Sequence, residues 1–256
     1  MPKIIIIGGG IVGCSLAEEL TDRGYTDVVV IEKGKLWKPG GSTSHAPGVV
    51  FQTNGSRTMA QFASQTVEKL HGLRHNGETC FLKVGSMELA TTPERLADLH
   101  RRAGLALSAG IKARVIPAEE ALKLHPLLVR NKLLGALYVP DDGIARAIRA
   151  GEVMGERSIS RGARFISECE VLAIDQSDGR VTGVQTTQGS FPADIVVSCA
   201  GIWGPKIGAM VGMSKAIQPL AHQLCYTAPM PELLSYKGEA ELPVLRHQGS
   251  DLYFRQ

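Results

Sequence analysis

Ile4-Ile5-Ile6-Ile7-Gly8-Gly9-Gly10-Ile11-Val12-Gly13 is the stretch whose reading decides the fold. Four consecutive β-branched residues suit a strand buried on both faces of a parallel sheet. Ile11 to Arg23 follows with helical spacing of Val12, Leu16, Ala17 and Leu20, and stops at Gly24, a natural C-cap. Val28-Val29-Val30-Ile31 is a second buried strand, so the opening predicts β-α-β with glycines at its first corner. Gly8, Gly10 and Gly13 complete a G-x-G-x-x-G pattern at the strand-to-helix junction, where its chemistry needs it. Gly8 allows a tight turn, Gly10 lets a pyrophosphate approach the backbone, and Gly13 lets the helix pack closely on the strand. Amides freed at the helix start, with the positive end of the helix dipole, then hold phosphate. Glu32 ends the second strand, 19 residues beyond Gly13, where a carboxylate accepts from ribose hydroxyls and repels a 2′-phosphate. A glycine-rich turn without a ligand is the bland alternative; strand, helix and Glu32 in register favour a dinucleotide, against NADP.

Outward from this unit, residues 39–55 are rich in Gly, Ser, Thr and Pro without periodicity, and predict a loop of about 16 residues. Thr58 to Leu73 predicts a helix. Phe81-Leu82 and Ser86 to Ala90 predict short strands, and Thr92-Pro93-Glu94-Arg95 opens a helix with a capping Thr and a first-turn Pro. Arg164–Ile166, Val171–Asp175, Val181–Thr186 and Asp194–Ser198 predict strands, with Ser177-Asp178-Gly179-Arg180 as a hairpin turn. Gly151 and Gly155 interrupt the helical pattern of Ile148 to Gly162, each at a cost of about 1 kcal/mol relative to Ala. Beyond Pro219, Gln223–Thr227 and Leu252–Phe254 suggest an antiparallel sheet.

Composition narrows the class. The 256 residues suffice for one large domain or two small ones, and 44% apolar with 21% charged residues is ordinary for a globular chain. A net charge of +3, with no Lys/Arg run, gives no nucleic-acid footprint. Cys14, Cys80, Cys169, Cys199 and Cys225 show neither C-x-x-C nor zinc spacing, so free thiols and no metal are expected. The apolar run at residues 4–7 is too short for a signal core or membrane span, and the cytoplasm is the default expectation.

FAD and NAD share the fingerprint, so the choice falls to Gly40-Gly41-Ser42-Thr43-Ser44-His45-Ala46-Pro47-Gly48, whose amides and hydroxyls could cradle an elongated cofactor. On the residues alone, Ser42 to Ser44 also read as an ordinary polar loop, and His45 as a solvated histidine. Together with Ile4–Gly13, Glu32-Lys33, Leu89–Thr92, Pro126–Leu128, Val196–Gly204 and Pro219–Gln223, this loop resembles the dimethylglycine oxidase, dimethylglycine dehydrogenase and sarcosine dehydrogenase family along the whole chain. The resemblance implies an α/β fold: a Rossmann-like FAD-binding domain of glutathione-reductase/D-amino-acid-oxidase type, an inserted α+β region, and the start of an antiparallel substrate-domain sheet. It implies FAD-binding segments 1–75 and 141–215, and substrate or cap segments 76–140 and 216–256.

The same resemblance implies the site. Gly8, Gly10, Ile11, Val12 and Gly13 serve the pyrophosphate, Glu32 and Lys33 the adenosine end, and Val171 the adenine. Ser42, Thr43, Ser44, His45 and Val49 line the flavin, with His45 bonded to its 8α-methyl. His222 and Tyr253 stand beside the flavin on the substrate face, orienting an amine and tuning its protonation. On the residues alone, Tyr253 reads as a strand aromatic and His222 reads either way. The implied reaction removes a hydride from the N-methyl carbon of dimethylglycine or sarcosine, leaving an iminium for water or folate. The electron acceptor would be oxygen or an electron-transfer protein. The family continues past the position of Gln256 into a folate-binding portion, so this chain is expected to be a fragment, a subunit completed by another chain, or a non-catalytic FAD-binding remnant. Folate is expected only if a downstream domain exists. No nucleic-acid or membrane partner is expected.

Overall fold

The computed structural model describes residues 1–38 and 40–256, and separates into two compact units, Met1–Ala46 with Ala147–Gln223 and Pro47–Arg146 with Leu224–Gln256. In the first unit, β1 (Ile4–Ile7) pairs in parallel with β2 (Val28–Ile31) on one side and Ile195–Ser198 on the other, and Arg164–Ile166 extends the sheet beyond β2. Strand periodicity explains the layers. Ile4, Ile6, Val28 and Val30 face one way and bury against Ala17 of α1 (Ile11–Asp22) and Ala163. Ile5, Ile7, Val29 and Ile31 face the other way and bury against Val171 and Val184 of an antiparallel meander, Val171–Ser177, Arg180–Thr186 and Gly189–Pro192. The sheet is therefore apolar on both faces, as its unbroken Ile/Val strands require, and each such side chain contributes about 1.5–3 kcal/mol on burial. Asp178 and Gly179, with φ of 51° and 73°, make the tight meander turn that Ser177–Arg180 predicts.

Residues Ala147–Ser160 form one uninterrupted helix, which corrects the reading of Gly151 and Gly155 as interruptions. The glycines answer a packing need instead. A Cβ on Gly155 would lie 2.0 Å from Trp37 Cη2, so the indole occupies the space a side chain would take. Trp37 in turn packs on Phe165, ring centroids 5.5 Å apart.

The second unit is built on a five-stranded sheet in the order Leu252–Phe254, Val244–His247, Ser86–Ala90, Gly135–Val139, Arg114–Pro117. Leu252–Phe254 pairs antiparallel as expected, but Val244–His247 runs parallel to Ser86–Ala90, so the sheet is mixed. Helix Pro93–Ser108 opens with the Thr92 hydroxyl accepting from the Arg95 amide, and buries Leu99, Ala103 and Ala106 against Leu137 and Val139. Helix Arg57–Gly72 adds Ala60 to that core.

Two further expectations change. Residues 47–75 and 141–146 belong to the second unit and 216–223 to the first. The physical reason is pairing: Val49–Val50 bonds antiparallel to Gly143–Ala145, which bonds to Phe81–Leu82, and Gln52 donates twice to buried Asp142 at 3.0 and 3.1 Å. Gln223–Thr227 is no strand; the run 212–229 is exposed throughout and without regular structure beyond its first turn. Alternation alone supplies no partner for the ladder, and Tyr226 stays 90% exposed. Among the described residues no helix is long and apolar enough to cross a membrane.

Candidate cofactor site

Gly8 turns the chain out of β1 with φ of 112°, and a Cβ there would lie 2.5 Å from the Cys199 carbonyl oxygen. Gly13 lets α1 sit directly on that turn, since its Cβ would fall 1.9 Å from the Gly8 oxygen. These contacts bring the start of α1 to the ends of β1, β2 and Ile195–Ser198, where a doubly wound sheet places its ligand crevice. Gly10 caps α1 without a side-chain acceptor. The Ile11 amide donates to the Thr43 hydroxyl at 3.0 Å, which ties the start of α1 to the 40–46 segment.

That segment is not the featureless loop expected from residues 39–55. It contains the one-turn helix α2 (Ser42–His45) and the short strand Val49–Val50; Pro39 lies outside the described residues. Within α2 the Ser44 hydroxyl and His45 Nδ1 both lie 3.0 Å from the Gly41 carbonyl oxygen. The Ser44 hydroxyl lies 3.0 Å from the same Nδ1, so that nitrogen of the exposed imidazole sits between a carbonyl that only accepts and a hydroxyl that can do either.

Glu32 is buried, and both of its oxygens accept from backbone: Oε2 from the Gly9 amide and Oε1 from the Gly34 amide, each at 2.8 Å. The carboxylate thereby clamps the glycine turn to the segment leaving β2. Two of its roughly four lone-pair positions are used and the rest remain for a ligand hydroxyl. Its charge also reaches Cys14. Burial first, and Glu32 second, push that thiol up to about 12, so it is inert, donating to the Gly9 carbonyl at 3.3 Å.

These elements enclose a cavity of about 550 Å³ within the first unit. Its lining includes Gly8, Gly10, Ile11, Val12, Glu32, Lys33, Ser42, Thr43 and Val171 from the expected cofactor set. Gly13 lies beneath the turn, Ser44 and His45 lie on α2 outside the lining, and Val49 belongs to the second unit. His222 lies in the exposed irregular run of the first unit, and Tyr253 on the outermost strand of the second, 38% exposed.

Sequence reasoning missed a further group. Trp203, after the last parallel strand, stands 3.1 Å from where a Gly41 Cβ would be, and Lys33 Nζ sits 3.4 Å from its ring centroid. Lys206 pairs with Glu170 at 2.8 Å, and that contact holds the Glu170 carboxyl below the usual carboxylate range. Cys169 and Val171 reach the wall because the Cys169 amide donates to the Glu32 carbonyl at 3.0 Å. Burial pushes the Cys199 thiol up. The only sequence signal for Trp203 was its place in the 196–204 run.

A buried carboxylate beside a glycine-cradled helix start suits the adenosine diphosphate portion of a dinucleotide. Comparison with known proteins names which one. The sequence matches the family described as DAO, FAD-dependent oxidoreductase, over residues 3–256. The chain belongs to this family of FAD-dependent oxidoreductases. The observed residues fit the cofactor: glycines where a Cβ would meet backbone or Thr43, and an acid where ribose hydroxyls need an acceptor. Mouse mitochondrial dimethylglycine dehydrogenase is 32% identical over 99% of this chain and 29% of its own length. Mouse mitochondrial sarcosine dehydrogenase is 29% identical over 99% of this chain and 28% of its own. The mouse mitochondrial pyruvate dehydrogenase phosphatase regulatory subunit is 31% identical over 80% of this chain and 24% of its own. The chain thus spans 24% to 29% of the length of these relatives. In fold it is similar to L-proline dehydrogenase from P. horikoshii, with a TM-score of 0.83 at 24% identity over 100% of this chain and 67% of that one.

Proposed function

We propose that this chain carries the FAD-holding part of an oxidoreductase that oxidises the N-methyl C–N bond of a small methylated glycine, dimethylglycine or sarcosine. The observation that carries the reading is the likeness to dimethylglycine dehydrogenase over 99% of the chain, in a family that is FAD-dependent. FAD supplies the two-electron acceptor that takes hydride from the substrate.

The chain's own residues hold and orient. Gly8, Gly10, Ile11 and Val12 receive the pyrophosphate at the start of α1, with Gly13 letting that helix approach. Glu32 and Lys33 take the adenosine ribose, and Val171 the adenine. Ser42, Thr43, Ser44, His45 and Val49 serve the flavin end. The His45 imidazole would carry a covalent link to the flavin 8α-methyl: a C–N bond would replace one methyl C–H bond, its hydrogen leaving as a proton and its electron pair passing to the flavin, which the same external acceptor would reoxidise. His222 and Tyr253 serve the amine: its nitrogen must be neutral before hydride leaves the methyl carbon, and an imidazole can take that proton. Oxygen or an electron-transfer protein reoxidises the flavin, and folate takes part only if a further domain follows.

A second reading is a regulatory or binding module that holds FAD without turnover. The 31% identity to a relative named as a regulatory subunit favours it. Anaerobic mixing separates the two. The FAD-loaded protein should lose its visible flavin absorbance with dimethylglycine or sarcosine, and replacing His222 or Tyr253 should slow that loss on the order of 100-fold with flavin content unchanged. Bleaching by glycine or proline alone would move the substrate elsewhere in the family, and no bleaching by any amine would leave the regulatory reading.

A further inference from the structure

The outermost hairpin of the second unit is held at its tip. Val244–His247 and Leu252–Phe254 are joined by one 3₁₀ turn, Gln248–Ser250, and by Asp251 in the left-handed region at φ of 51°. Leu252–Phe254 has a strand on one side only, and all three of its side chains are exposed. An edge strand that buries no apolar side chain has little packing to fix it, so its place depends on the turn that delivers it.

Gln248 ties that turn to the body of the unit. Its Oε1 accepts from Arg95 Nη2 at 2.5 Å and from Arg102 Nη1 at 2.9 Å, both arginines lying on helix Pro93–Ser108. The same two nitrogens hold Glu88 Oε1 on Ser86–Ala90, Arg102 at 2.6 Å. An amide oxygen has two lone pairs, and here both face guanidinium N–H groups, so the bonds are charge-assisted. Asp98 orients Arg95 in turn, accepting from its Nη1 at 2.8 Å. A second tie runs beside the first. The Ser250 amide donates to His247 Nδ1 at 3.1 Å, so the ring hydrogen sits on Nε2, 3.2 Å from the Thr91 hydroxyl.

The arginines are short of acceptors. Glu88 meets Arg95 and Arg102, and Asp98 meets Arg95 and Arg101, so three guanidiniums share two carboxylates. Burial, and then the charge of Arg102, draw the Arg95 pKa down. An oxygen arriving from the turn relieves that excess of positive charge, and a carboxylate in its place would relieve it further.

We propose that Gln248 is a positioning residue: caught between the Arg95 and Arg102 guanidiniums, it fixes the tip of the hairpin and thereby sets where Tyr253 stands. The part Tyr253 plays toward an amine rests on the reading above; its placement can be tested apart from that.

The test combines amide hydrogen exchange with anaerobic flavin reduction by dimethylglycine and sarcosine. The FAD-loaded proteins compared are the wild type, Gln248→Ala, Gln248→Glu, Tyr253→Phe and the double variant Gln248→Ala with Tyr253→Phe. In Gln248→Ala the amides of residues 250–254 should exchange roughly 10-fold faster, with exchange in β1 and α1 unchanged. Reduction per bound flavin should slow roughly 10-fold or more, with flavin content unchanged. Gln248→Glu should keep the slow exchange and most of the rate. In the Tyr253→Phe background Gln248→Ala should slow reduction no further, because a residue that acts through Tyr253 has nothing left to act on. Unchanged exchange in Gln248→Ala overturns the proposal, as does faster exchange with wild-type reduction. Losses that multiply in the double variant overturn it too, since the effect then does not pass through Tyr253. If no amine reduces the wild type, the methylated-glycine reading falls; faster exchange confined to residues 250–254 in Gln248→Ala then still supports the placement, and unchanged exchange overturns it.

Discussion

Replacing Glu32 by Ala should damage the protein before any cofactor arrives. In the structure the Glu32 oxygens hold the Gly9 and Gly34 amides at 2.8 Å in a buried setting, so the substitution strips two charge-assisted bonds at once. Each such bond is worth about 1.5–3 kcal/mol, and water entering the vacated space returns part, so a net loss of about 3 kcal/mol is expected. For a chain of this size that corresponds to a melting temperature lower by about 6–12 °C. FAD binding should weaken separately, by roughly 10- to 150-fold, through the bond to a ribose hydroxyl. Glu32→Gln should fall between, because its oxygen can accept one amide while its NH₂ faces the other. Thermal denaturation of apo and FAD-loaded protein, with an equilibrium flavin titration, measures both effects. An unchanged apo melting temperature in Glu32→Ala would refute the clamp, and an unchanged dissociation constant would refute the contact to the adenosine end.

Asp142 gives a pH dependence. Burial pushes its carboxyl up to about 6, against the pull of hydrogen bonds from Ser86 and Gln52, so the folded protein holds this proton more tightly than the unfolded chain. Stability from this group is full below about pH 4 and lost as pH rises through about 6, an effect on the order of 3 kcal/mol. Asp142→Asn can keep the Gln52 bonds on its oxygen and donate to Ser86, so urea midpoints between pH 4 and 7 should lose that slope; an identical slope in both proteins would rule Asp142 out as its source. Gly155→Ala should destabilise by about 1–3 kcal/mol through Trp37 despite better helix propensity, whereas Gly151→Ala, whose nearest contact is Cys14 Sγ at 3.9 Å, should stabilise by up to about 1 kcal/mol. Equal denaturation midpoints for the two variants would contradict the packing account. His45→Ala should release flavin on acid precipitation while the wild type retains it, and an intact mass without an FAD adduct in the wild type would remove the covalent link.

What could be read in advance was what neighbouring residues determine. The strand–turn–helix of residues 4–22 depends on a β-branched run, a glycine corner and helical spacing within a few turns of chain, and Glu32 follows from the length of one βαβ unit. The hairpin at Asp178-Gly179 and the cap at Thr92 are likewise local. The misreadings share a different cause. Gly151 and Gly155 look alike as helix-weakening residues, yet only the distant Trp37 makes Gly155 necessary. Gln223–Thr227 alternates like a strand but meets no ladder partner, while Val244–His247 has the partner and runs parallel to it. The unit boundary at residue 47 follows from Val49 and Gln52 reaching residues some 90 positions away. In the cofactor cavity, Gly41, Lys33 and Trp203 converge from three segments, and a tryptophan that is unremarkable in its own stretch becomes a wall because a glycine elsewhere leaves room for it. Arg246 shows the same logic for charge. Its sequence neighbours do not reveal whether it is paired; in the structure Glu88, directly beside it in the sheet, is held by Arg95 and Arg102 of helix Pro93–Ser108, and the Arg246 guanidinium lies over the Phe51 ring instead.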